Sequence, residues 1–148
     1  YYQVLDGIDI SKSKTNCLII HAPSLNENDV VTNDIVDIID HKTFEFIGRT
    51  DNVINTGGVK IYPEQIEKIL SDQIDKPFFV CGVADERLGQ KVILCIEGAI
   101  KENLDIDFDQ LSKFEKPKDI WYIHQFLRTE TNKIRRKDTI QASLNPEE

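Results

Sequence analysis

The run from Gly48 to Glu67, G-R-T-D-N-V-I-N-T-G-G-V-K-I-Y-P-E-Q-I-E, constrains the fold of this chain more than any other stretch. It joins a charged strand end, a glycine turn and a proline-started helix without interruption. Gly57 and Gly58 permit backbone conformations, and a close ligand approach, that side chains obstruct. Pro63 suits the first helical turn, where its missing amide hydrogen costs least, and Glu64 and Glu67 fall at the favourable end of the helix dipole. The loop is thus anchored on a helix. A ligand site there and a merely structural turn are both open readings.

Alternation predicts the elements around this run. Residues 3–10 and 16–22 read as short strands. Residues 33–49 read as a hairpin, Asp-Ile-Val-Asp-Ile-Ile-Asp and Phe44-Glu45-Phe46-Ile47 flanking a turn at His41-Lys42. Ile66, Ile69 and Leu70 make an apolar stripe on a helix of about ten residues. Phe78 to Val83 and Lys91 to Glu97 form strands joined through the turn Asp85 to Gly89. A short helix is predicted over 109–115, stopped by Pro117, then a strand from Ile120 to Phe126 and a terminal helix from about Ile134. Residues 99–116 fit helix or loop. Helices against a small mixed sheet follow, with a boundary near Arg49 to Asn52 where an acidic, strand-rich beginning gives way to a mixed pattern.

The chain has 148 residues, 40% of them hydrophobic, enough for one domain or for one domain and part of another. It contains no Met and begins Tyr1-Tyr2-Gln3-Val4, which reads as an excised or processed piece. A net charge of −8 disfavours general nucleic-acid binding while leaving room for a local basic patch. No apolar run approaches the roughly 18 residues of a membrane span. Cys17, Cys81 and Cys95 read as buried free thiols in a reducing cytoplasm, and no Cys/His spacing resembles a metal site. His21, His41 and His124 have no convincing nucleophile or metal partner in the sequence, so satisfied or exposed imidazoles are expected.

Charge marks the remaining candidates. Between Leu25 and Asp51, seven acids (Glu27, Asp29, Asp34, Asp37, Asp40, Glu45, Asp51) face two bases (Lys42, Arg49), mostly as a solvated face. Asp34 can accept hydrogen bonds from ligand hydroxyls and Arg49 can offer a fork of donors to a sugar or phosphate; Asp51 can instead close a local turn. From Arg128 to Lys137, five bases (Arg128, Lys133, Arg135, Arg136, Lys137) face the single acid Glu130. Lys133 there can stabilise charge developing on oxygen, while Arg135, Arg136 and Lys137 read as solvated. Lys60, beyond the glycines, can reach a phosphate or remain an ordinary surface lysine. The glycine loop is neither a Walker loop nor a dinucleotide fingerprint, since neither spacing is met.

Thr32-Asn33-Asp34, the run Gly48 to Glu67, and Arg128-Thr129-Glu130-Thr131-Asn132-Lys133-Ile134, in that order, resemble three motifs of the adenylate-forming acyl-CoA synthetases, the superfamily that includes luciferases and peptide-synthetase adenylation domains. The resemblance spans nearly the whole chain and matches the C-terminal part of that family, with the small bacterial acyl-CoA ligases nearest in the lead-in and tail. It implies an α/β (α+β) fold: residues 1–50 as the C-terminal strands of a large, missing N-terminal domain, and 51–148 as a mobile C-terminal domain with a small mixed sheet and flanking helices. Asn33 and Asn132 stand where the family usually has glycine, which puts local backbone geometry in question.

By the same resemblance, ATP and a carboxylate form an acyl-adenylate, and a rotated C-terminal domain then helps coenzyme A attack the activated carbonyl. Lys133 would be catalytic, bridging carboxylate and α-phosphate oxygens. Asp34 and Arg49 would bind the ribose, Asp51 would be the rotation hinge, Gly57 and Gly58 would line the pantetheine passage, and Lys60 would approach the coenzyme-A phosphates. ATP with Mg²⁺, coenzyme A and a carboxylic acid are the implied ligands of the full-length enzyme, with none held tightly by the fragment, which is expected to be inactive alone. The missing N-terminal domain is the implied partner, and exposed strand edges allow a homodimer. Two other readings stay open: a noncatalytic interaction or regulatory module, and adenylation followed by transfer to a carrier-protein thiol.

Overall fold

The computed structural model describes residues 1–99 and 104–145. They fall into two units, Tyr1–Val53 and Ile54 onward.

The first unit is an antiparallel sheet of β1 (Tyr2–Gln3), β2 (Asp9–Lys12), β3 (Cys17–His21), β4 (Val30–Asp40) and β5 (Thr43–Arg49), in the order β1-β5-β4-β3-β2. The predicted strand over 3–10 is interrupted. Asp6-Gly7 turns the chain, with Gly7 at φ +79 and the Ile8 N–H donating to the Leu5 carbonyl at 3.2 Å, because an Asp-Gly pair accommodates a left-handed turn better than a strand does. The hairpin over 33–49 forms as expected. Its register shifts by one residue between Ile35 and Val36, a bulge beside the end of β5.

The second unit is built around β9 (Gly89–Glu97). β8 (Phe78–Asp85) runs antiparallel along it, β10 (Asp119–Ile123) pairs parallel with its second half, and β6 (Ile54–Thr56) meets its first residue and continues into β7 (Val59–Ile61). The sheet is therefore mixed. Val92-Ile93-Leu94-Cys95-Ile96 is buried throughout because β9 is covered on both faces. Val92, Leu94 and Ile96 share one core with Ile54, Ile61, Ile66, Leu70 and Val80, while Ile93 and Cys95 share the other with Phe79, Val83 and Phe126. Helix α1 (Pro63–Leu70) opens on proline and sets the fully buried Ile66 and Leu70 into the first core, with Ile69 packed beside them. Helix α2 (Arg136–Leu144) follows Ile134 and contributes Ile140 to the second.

Three boundaries differ from expectation. No helix forms over 109–115. The Leu111 N–H donates to the Phe108 carbonyl at 3.0 Å, while two side chains accept nearby N–H groups: Asp107 Oδ1 that of Asp109 at 2.7 Å and Glu115 Oε2 that of Ser112 at 2.8 Å. These side chains close separate turns where a helix would need a continuous ladder. Residues 100–103, within the ambiguous 99–116 stretch, lie outside the described residues. The strand from Asp119 stops at Ile123, because the Phe126 N–H turns to Glu97 Oε2 at 2.7 Å and the ring enters the second core. The last helix starts at Arg136, not Ile134, because Ile134 bridges Arg128 and the Arg135 N–H donates to the Leu127 carbonyl at 2.8 Å.

Candidate functional site

Asp34 and Arg49 face one another across β4 and β5, with Arg49 Nε 3.7 Å from Asp34 Oδ1 and both side chains about half-exposed. Thr32 fixes the approach to Asp34: its Oγ1 accepts the Asp34 N–H at 3.1 Å and donates to the Leu18 carbonyl at 3.0 Å. Asn33 lies within β4 and is not among the left-handed residues, so the position makes no demand for glycine. The pair presents a carboxylate acceptor beside a guanidinium fork, suited to neighbouring hydroxyls. Asp51 is exposed within a single 3₁₀ turn, Thr50–Asn52, that directly follows Arg49.

Gly57 and Gly58 form the two-residue turn between β6 and β7, at φ +56 and +81. Positive φ at both central residues is what a tight type I′ hairpin turn requires, and glycine supplies it without steric cost. A Cβ on Gly58 would meet nothing within 4 Å, so its outer side is open. Lys60 stands on the same hairpin, exposed, opposite Asn55.

Lys133 sits on a separate hairpin. The Asn132 N–H donates to the Thr129 carbonyl at 2.9 Å and the Thr129 N–H to the Lys133 carbonyl at 2.8 Å, enclosing a three-residue loop whose last member, Asn132, has φ +64. Such loops end on a left-handed residue, and asparagine adopts that conformation more readily than other side chains. The same device occurs between β2 and β3. Asn16 has φ +61, its N–H donates to the Ser13 carbonyl at 3.0 Å, and the Ser13 N–H donates to Cys17 at 2.9 Å. In both loops the first hydroxyl accepts the N–H four residues on at 3.1 Å and lies 3.0 Å from the following threonine hydroxyl. Ser13-Lys14-Thr15-Asn16 and Thr129-Glu130-Thr131-Asn132 are thus one local code written twice.

The root of the Lys133 hairpin is clamped. Arg128 grips Glu97 with both ends of its guanidinium, at 2.6 and 3.1 Å, and that bond holds the Glu97 carboxyl below the usual range. Arg136 is not solvated as expected. It forms a second fork with Glu67, at 2.5 and 2.9 Å, donates to the Val80 carbonyl at 3.3 Å and lies over the Phe79 ring. Glu67 accordingly serves as the anchor for Arg136 and accepts the Val80 N–H at 2.8 Å, besides lying in α1. Burial pushes its carboxyl up while Arg136 draws it back. Lys133 itself is exposed, and among the described residues no ion pair engages either Lys133 or Lys60.

Two arrangements were not visible in the sequence. Cys81 and Cys95 bring their sulfurs to 3.9 Å, with Cys95 fully buried and its thiol pushed up chiefly by the Cys81 contact, while Cys81 is only half-buried. His21, expected as a satisfied or exposed imidazole, is satisfied by two partners that no local spacing shows, Ser11 and Asp29. Among the described residues no group of three or more His, Cys, Asp or Glu is placed to hold a metal ion, and no helix is long and apolar enough to cross a membrane.

No protein-family model matches the chain. Individual proteins do. The 4-chlorobenzoate–CoA ligase of Pseudomonas sp. (strain CBS-3) is 31% identical over 103 residues, which cover 64% of this chain and 20% of the relative. The 2-succinylbenzoate–CoA ligase of Bacillus cytotoxicus is 30% identical over 115 residues, covering 74% and 24%. Among solved structures, an acyl-CoA synthetase (AMP-forming)/AMP-acid ligase II-like protein from Dyadobacter fermentans matches 94% of this chain and 42% of its own at 37% identity, with a TM-score of 0.59. The fold matches that of the C-terminal domain of acyl-CoA synthetases. The chain is a homologue of the AMP-forming acyl-CoA ligases and corresponds to their C-terminal part, spanning about a fifth to a quarter of the two curated relatives.

Proposed function

We propose that this chain is the C-terminal part of an ATP-dependent acid–CoA ligase, which joins a carboxylate to AMP and then passes the acyl group to the thiol of coenzyme A. The observation that carries the reading is Lys133: an exposed lysine on a hairpin clamped at its root by Arg128 and Glu97, in the motif whose family role is adenylation. A positioned ammonium favours charge that develops on carboxylate and phosphate oxygens, and fixing its base in advance lowers the cost of aiming it. Asp34 and Arg49 would hold ribose hydroxyls, the carboxylate accepting and the guanidinium donating. Gly57 and Gly58 would let a pantetheine arm pass close to the backbone, and Lys60 would meet the phosphates of coenzyme A. ATP brings Mg²⁺ with its phosphates and supplies the adenylyl group and the leaving pyrophosphate.

In this reading residues 1–50 close a larger N-terminal domain, residues 51–148 form the mobile one, and Asp51 is the hinge. Movement about it lets Lys133 act in one orientation and the glycine turn in another, so two incompatible tasks are separated in time. Ligases of benzoate derivatives, fatty acids and a steroid acid all stand among the relatives, and o-succinylbenzoate is the leading candidate, which would assign the protein to menaquinone synthesis in the cytoplasm. Carboxylate-dependent exchange of pyrophosphate into ATP by the full-length protein, across a panel of acids including o-succinylbenzoate and 4-chlorobenzoate, tests this. Exchange with one acid would support the reading and identify the substrate. A folded, ATP-binding protein with no exchange across the panel would leave the noncatalytic module in its place.

A further inference from the structure

Strands β2 and β3, with the residue preceding β4, align a serine, a histidine and an aspartate in one hydrogen-bonded row. Asp29 Oδ1 lies 2.7 Å from His21 Nδ1, and Ser11 Oγ lies 2.7 Å from His21 Nε2. An ionised carboxylate can only accept, so Nδ1 carries a hydrogen, and in the tautomer that carries it there alone Nε2 keeps its lone pair. The Ser11 hydroxyl is therefore the donor to Nε2, the arrangement in which an imidazole can take a hydroxyl proton as the oxygen attacks. Asp29, 58% exposed, holds the ring in that tautomer; His21 is 33% exposed and Ser11 half-buried, so a small electrophile can reach the hydroxyl.

We propose that Ser11, His21 and Asp29 form a nucleophilic serine site that takes the acyl group of small activated esters. Ser11 Oγ bonds to the carbonyl carbon as its proton passes to His21 Nε2. The bond from that carbon to the leaving aryloxide breaks, and the aryloxide takes the proton from Nε2. Water then adds to the acyl-serine, giving its proton to Nε2; the carbon–Oγ bond breaks, Oγ recovers the proton, and a carboxylic acid departs. Asp29 acts as a positioning residue through the ring. The exposed setting suits substrates that carry their own good leaving group. Neither ATP nor Lys133 takes part, so this site stands apart from the adenylation reading.

The test treats the chain with 4-nitrophenyl acetate and, separately, with an aryl fluorophosphonate, in which Oγ bonds to phosphorus and fluoride leaves with the proton. A single phosphonyl adduct on the peptide carrying Ser11 is expected in the unmodified sequence. Ester hydrolysis should exceed that of Ser11→Ala by about 10²-fold, the lower end of what a positioned general base contributes. His21→Gln should fall to the same floor, and Asp29→Asn should slow acylation while the Ser11 adduct still forms. An adduct on another residue, no adduct at all, or Ser11→Ala hydrolysing at the unmodified rate would overturn the proposal; the last outcome would assign the reaction to the imidazole alone.

Discussion

Asn132 holds a left-handed backbone that costs most L-residues about 1–2 kcal/mol. Asn132→Ala should therefore lower the unfolding free energy in urea by about 1 kcal/mol, whereas Asn132→Gly should leave it nearly unchanged. The Thr-Asn pair repeated at Thr15-Asn16 and Thr131-Asn132 made this turn legible from sequence once its shape was known, and it removes the doubt raised by a missing family glycine. Glu97 offers a pH test. Its hydrogen bonds with Arg128 lower its folded pKa, so the stabilisation is present above the ordinary glutamate value near 4.5 and is lost as pH falls through the folded value. The difference in urea midpoint between the parent chain and Glu97→Gln should be largest at neutral pH and shrink in acid. Asp40 and Asp85, both also held low by backbone hydrogen bonds, remain in each protein and cancel from the comparison.

At the scale of elements, β8 and β9 were readable because Val92 to Ile96 is an unbroken apolar run, and α1 because Pro63 and the Ile66–Leu70 spacing leave little choice. What joins those elements was hidden. Arg136 and Glu67 stand 69 residues apart, and no local pattern announces their pairing. The Ser11–His21–Asp29 row was hidden for the same reason: strand register, not spacing in the chain, brings it together. Glu67→Gln should destabilise the second unit on the order of 3 kcal/mol, since a guanidinium would be left part-buried without its carboxylate. Gly82 gives a packing test. A Cβ there would stand 2.8 Å from Ile54 Cγ2, and Ile54 is only 1% exposed, so Gly82→Ala should cost about 1–3 kcal/mol through forced repacking. Chemical denaturation of both variants checks these values. The segment over 109–115 misled because its apolar spacing fits a helix, while Asp107, Ser112 and Glu115 close turns of their own.

At the scale of the molecule, the two cores on either side of β9 draw only on residues from Ile54 onward. Residues 54–148 expressed alone should therefore unfold in a single cooperative transition, seen by calorimetry; a broad, non-cooperative melt would count against an independent second unit. The first unit instead exposes Val31, at 65%, and Ile39, at 53%, on β4. The central claim is that Lys133 serves adenylation and not thioester formation. Its most direct test compares Lys133→Ala with the parent in the full-length protein, measuring acyl-adenylate formation from ATP and thioester formation from a supplied acyl-adenylate in separate single turnovers. The account predicts adenylation slowed by at least about 10²-fold with thioester formation close to the parent rate. Equal loss of both steps, or no loss of adenylation, would contradict it.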